Sequence, residues 1–91
     1  ATYYLHEARA RLALARGDLP EAAARADEAL EHCRACGEAM HELHARVLCA
    51  EVAAAQGNPH GLEALDDLAA DVGALGIVPL AKRMSTLQAM T

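Results

Sequence analysis

Two glycine-centred corners recur in this chain at almost the same interval. Arg16-Gly17-Asp18-Leu19-Pro20 returns as Gln56-Gly57-Asn58-Pro59, and Ala35-Cys36-Gly37-Glu38 returns as Ala74-Leu75-Gly76-Ile77. The glycines lie 40 residues apart in the first pair and 39 in the second. Each closes an apolar-periodic stretch, so the chain reads as one supersecondary unit used twice. One hairpin of helices leaves an apolar face in water, and a second hairpin stacked on it covers that face.

Between the corners the periodicity is helical. From Thr2 to about Arg16 the positions Leu5, Ala8, Leu12 and Ala15 follow three-and-four spacing and predict the buried stripe of a first helix that stops at Gly17. Asp18 with Glu21 three residues later is a capping-box pattern, and Pro20 in the first turn costs no intrahelical bond. A second helix to about Cys36 is expected to bury Leu19, Ala22, Ala26, Ala29, Leu30 and Cys33. The third, residues 38–56, carries Met40, Leu43, Val47, Leu48, Val52 and Ala55 as a broad apolar stripe. Asn58-Pro59 predicts the start of a fourth helix with Leu62, Leu65, Ala69, Val72 and Leu75 on its apolar side and Gly73 weakening its last turn. A fifth begins at Ile77-Val78-Pro79 and aligns Leu80, Met84 and Leu87, with Lys82, Arg83 and Gln88 off the stripe. No segment alternates as a half-buried strand does.

The expected fold is therefore all-α: stacked antiparallel hairpins forming an α-solenoid over residues 1–91, with repeat one at 2–36, repeat two at 38–75 and a capping helix at 78–90. A single domain of this size buries a modest core, and the sequence reads as a piece of a larger protein whose first helix packs on a preceding repeat. Its aromatic residues are Tyr3 and Tyr4 alone, so the core must come from alanine and scattered Leu, Val and Met. The net charge of −5, with basic residues mostly single and forming no patch, argues against direct nucleic-acid binding. There is no apolar run long enough for a membrane span and no secretion signal. Three cysteines without disulfide-scaffold spacing point to a reducing compartment, and the cytoplasm is the expected location.

At Gly17-Asp18-Leu19-Pro20-Glu21-Ala22 the chain resembles the turn of a tetratricopeptide repeat, with Ala29-Leu30 at the later Ala-Leu pair of that family and Ala10 and Ala50 at the small residue of each first helix. The second copy keeps Gly57 and Ala69 but has Leu62 at the small position. The long period is similar to the helical repeats of large bacterial transcriptional activators and signalling ATPases, while HEAT repeats share the period and remain an architectural rival. The resemblance implies a protein-protein interaction or scaffold module in a bacterial cytoplasmic transcription or signalling regulator. Its partners would be a protein or peptide, neighbouring repeats of a parent chain, or a second copy. It also implies a concave face of Tyr4, Glu7, Arg11 and Leu14, then His44, Val47 and Glu51. The lysine and asparagine clamp by which some members hold a peptide carboxylate has no counterpart, which disfavours a chaperone-tail receptor.

The sharpest chemical pattern is Cys33-x-x-Cys36 followed by His41-x-x-His44, with His32 beside the first cysteine. Across a tight turn at Gly37 these four side chains predict, as an alternative function, a zinc-binding helical domain. The same cysteines fall at a helix C-terminus, where the dipole opposes thiolate, so redox catalysis is a poor fit. Carboxylates such as Glu28, Glu31, Asp66, Asp67 and Asp71 lack acid-base partners, no phosphate-cradling glycine loop is present, and Ser85 is the only serine. An enzyme is not expected, nor a cofactor beyond that zinc, and a purely structural spacer is the remaining reading.

Overall fold

The computed structural model describes residues 2–59, 63 and 65–90. They form α1 (Thr2–Ala15), α2 (Leu19–Cys36), α3 (Ala39–Gln56), α4 (Leu65–Leu75) and α5 (Val78–Met90), with no strand among the described residues. No described helix is long and apolar enough to cross a membrane.

The glycine corners share one geometry. Gly17, Gly37, Gly57 and Gly76 have φ of 76°, 68°, 68° and 66°, the left-handed region in which a Cβ is disfavoured. After α1 the Gly17 N–H donates to Leu14 O at 3.0 Å and the Asp18 N–H to Ala13 O at 2.9 Å. The same pair of bonds recurs at Gly37-Glu38 and at Gly57-Asn58, satisfying carbonyls that a helix end leaves open. Asp18 then caps α2 by accepting the Glu21 N–H at 3.2 Å. The reciprocal half of the expected capping box does not form, because the Asp18 N–H is already spent on Ala13. The Glu21 carboxylate instead accepts from Arg25 Nε at 2.7 Å.

α3 contacts each of the other four helices, and α1 also packs on α2 and α4 on α5. Its Leu43, Val47 and Ala50 meet Leu65, Leu68 and Val72 of α4 and Leu80, Met84 and Leu87 of α5. Its Leu48 and Val52 meet Ala10 and Ala13 of α1 and Ala22 and Ala26 of α2. Above them Ala45 closes against Tyr3, Ala29 and Cys33. The expected faces of α2 and α5 are therefore the observed ones, with Leu19 and Leu30 half-buried at the α2 margins.

Four expectations are corrected. In α1 the buried residues are Tyr3, Ala10 and Ala13, while Leu5 and Leu12 are 50% exposed and Ala8 and Ala15 face solvent. α2 approaches α1 over alanines, and small side chains are what a close helix contact selects. In α3, Met40 and Ala55 lie exposed near the ends, beyond the packed middle. In α4, Leu68 is buried and Leu75 is exposed at the last residue. Finally, α4 begins at Leu65 and not at Asn58-Pro59, and Glu63 before it lies in a turn; Leu62 is outside the described residues.

Two glycines of opposite role test this account. Gly73 is helical and a Cβ there would meet nothing within 4 Å, so Gly73→Ala is expected to stabilise the chain by about 0.5–1 kcal/mol. Gly37→Ala, at positive φ, is expected to cost about 1–2 kcal/mol. Urea unfolding of both variants beside the parent chain reads the two signs.

Candidate functional site

The residues expected on a binding face separate into exposed, paired and buried groups. Tyr4 is 60% exposed, with its ring edge-on to His41 at 5.2 Å. Glu7 accepts from Arg11 Nε at 3.0 Å within α1. Leu14 is half-buried against the alanine cluster of α1 and α2. Val47 is fully buried between α3, α4 and α5, so it serves the core and offers nothing to a ligand.

Glu51 is engaged by Arg83 of α5. Arg83 Nε donates to Glu51 Oε2 at 3.1 Å and Nη2 to Oε1, a two-pronged pair linking α3 to α5. Glu51 is thereby neutralised and positioned at once. Arg83 was not among the expected site residues, although the glycine spacing points to it: it lies 39 residues after His44, which lies 40 after Tyr4. Tyr4, His44 and Arg83 are thus one repeat position carried on α1, α3 and α5.

His44 sits edge-on to the buried Tyr3 ring at 6.3 Å. Burial holds its imidazole below the ordinary range, against the Glu7 carboxylate, which raises it, and with Arg83, His41 and Arg11, which lower it. The Tyr3 hydroxyl is buried without a hydrogen bond of good geometry, and burial first, then the Glu7 carboxylate, push the phenol up.

The cysteine-histidine quartet does not converge. Cys33 is fully buried beside Tyr3, Ala29 and Ala45, and burial raises its thiol. His44 belongs to the Tyr3 environment just described, and His41 stacks on Tyr3 at 5.0 Å with an interplanar angle of 11°. The group whose ligand atoms do lie within 4.8 Å of one another is His32, Cys36 and Glu38. His32 and Cys36 are four residues apart on the outer face of α2, and Glu38 follows directly across the Gly37 corner. His32 was visible beside the motif; Glu38 is legible only once the left-handed turn places it. The third cysteine, Cys49, is half-buried between α3 and α2, and burial pushes its thiol up to about 11.

Compared with protein-family models, curated proteins and solved structures, the chain matches none of them.

Two measurements probe this face. His44 has its folded pKa below its unfolded value, so as pH falls the unfolded chain takes up the proton first. Its contribution to stability is present above pH about 6.5 and is lost as pH falls through the lower folded pKa. His44→Gln is expected to flatten the pH dependence of the unfolding free energy in that window. Arg83→Met, which leaves Glu51 half-buried and alone, is expected to cost about 1–2 kcal/mol in the same assay at neutral pH.

Proposed function

We propose that this chain is a non-enzymatic protein-interaction and scaffold module of tetratricopeptide-like type, working by rigid display of helix faces, as in bacterial cytoplasmic transcription or signalling regulators. One observation carries the reading. Shifted by the 40 residues between Gly17 and Gly57, the α3 positions Ala45, Leu48 and Val52 become Leu5, Ala8 and Leu12 of α1. On α3 those positions are buried by the α1–α2 hairpin. On α1 they form an exposed apolar stripe. The other face repeats too: Leu43 and Ala50 are buried, as are Tyr3 and Ala10.

The two ends of the molecule differ in the same register. α5 buries Leu80, Met84 and Leu87 and turns Lys82, Thr86 and Ala89 to solvent, a surface that suits a cap. α1 instead offers Leu5, Ala8, Leu12 and Ala15. The occupant that fits is an antiparallel helical hairpin with small residues in its contact face, as α1–α2 offers to α3. Arg9 and Arg16 flank the stripe and make no ion pair among the described residues, so acidic side chains on the rim of that hairpin would complement it.

The test extends the array in register. A copy of residues 1–40 fused ahead of the whole chain is expected to raise the melting temperature while the product stays monomeric, since each added repeat contributes an interface. Leu5→Glu with Leu12→Glu in the original copy removes the gain while leaving the unextended chain folded. No gain on extension, or a gain that survives the two glutamates, overturns the reading.

A further inference from the structure

We propose that His32, Cys36 and Glu38 form a binding site for a divalent transition-metal ion of the zinc class at the corner between α2 and α3. The site stands on side-chain geometry and is independent of the stacking role of α1.

Both ring nitrogens of His32 lie 3.9 Å from Cys36 Sγ, on adjacent turns of one helix face. In a tetrahedral zinc centre, with Zn–S about 2.3 Å and Zn–N about 2.0 Å, sulfur and nitrogen stand about 3.5 Å apart. A rotation of the imidazole that aims one nitrogen inward therefore closes this pair without moving the backbone. Glu38 is the residue before α3, where its side chain makes no capping bond. Its carboxylate is occupied on one side only: Oε2 accepts from His41 Nδ1 at 2.8 Å, leaving Oε1 for a metal. His41 is in turn held flat on Tyr3. A carboxylate fixed by a histidine fixed by a buried ring is a positioned ligand.

The electrostatics favour a cation. The site lies over the C-terminal end of α2, where the helix dipole is negative. The neighbouring positive charge, Arg34, is directed to Glu42 at 3.1 Å. A thiolate with an imidazole and a single carboxylate oxygen selects zinc over magnesium or calcium, which need oxygen cages. Cys36 is exposed, so the ion enters from solvent, and the thiol proton leaves to solvent as the S–metal bond forms. Three protein ligands leave a fourth position for water.

The experiment is a cobalt(II) titration of the whole chain under reducing conditions, followed by displacement with zinc, with far-ultraviolet circular dichroism confirming that each variant is folded. The parent chain is expected to bind one cobalt per chain with thiolate-to-cobalt charge-transfer absorption that zinc abolishes. Cys36→Ser removes the absorption and Cys49→Ser keeps it, while His32→Ala and Glu38→Gln each weaken binding by about tenfold or more. His41→Phe retains the stack on Tyr3 but releases Glu38, and weakens binding by about tenfold. Absence of the absorption, its survival in Cys36→Ser, its loss in Cys49→Ser, or one metal shared by two chains overturns the site.

Discussion

α3 is the one helix that contacts all four others, and to do so it must bury two apolar faces at once. Residues advance by about 100° each around a helix, so Leu43, Val47 and Ala50 point nearly opposite to Ala45, Leu48 and Val52. The first set holds α4 and α5, and the second holds α1 and α2. A fully buried Leu or Val contributes about 1.5–3 kcal/mol, and in the first half α3 brings Leu48 and Val52 where its neighbours offer Tyr3, Cys33 and otherwise mainly alanine. Within the first hairpin α1 and α2 meet mainly over alanines, with Tyr3 and Cys33 the larger buried side chains. The second half differs in kind, since Leu65, Leu68, Leu80, Met84 and Leu87 bring bulk from both partners.

That division explains which parts of the fold were legible in the sequence. The four helix stops were, because a left-handed glycine at a helix end is a local requirement that tertiary contacts do not override. The faces of α2 and α5 were, because each has a single apolar side. α1 was misread because it has two: the stripe with the leucines is the conspicuous one, yet the stripe with Tyr3, Ala10 and Ala13 is buried. Periodicity weighs leucine above alanine, whereas a close helix pair selects the reverse. α3 holds the same ambiguity and resolves it by burying both sides, so Leu43, Val47, Leu48 and Val52 were legible while the buried Ala45, Ala50 and Ala53 were not, and Met40 and Ala55 lie exposed.

The chemistry at the Gly37 corner was half legible for a related reason. Cys33 and Cys36 are three apart and share a side of α2 only loosely, and the edge of the buried face falls between them. Cys33 continues the inward series Ala22, Ala26, Ala29, while Cys36 aligns with His32 four residues back on the outer side. A motif of thiols close in sequence was therefore split by burial into one core residue and one ligand candidate. Val47 failed as a groove residue by the same logic, since α3 turns that position toward α4 and α5. Glu51 is half-buried and paired with Arg83, which sits one repeat beyond His44.

Tyr3 links these features. Its ring fills the space between α1 and α3 above Cys33, and it is also the surface on which His41 lies flat and against which His44 stands edge-on. His41 orients Glu38 at the α2–α3 corner. Docking of α1 on the rest of the molecule is thus felt at a turn that α1 does not itself form. An occupant on the outer stripe of α1 would press on Leu5 and Leu12, on the opposite side of the same helix that carries Tyr3. The corner that gathers His32, Cys36 and Glu38 is steadied, through His41, by the same buried ring that seats α1 on α2 and α3.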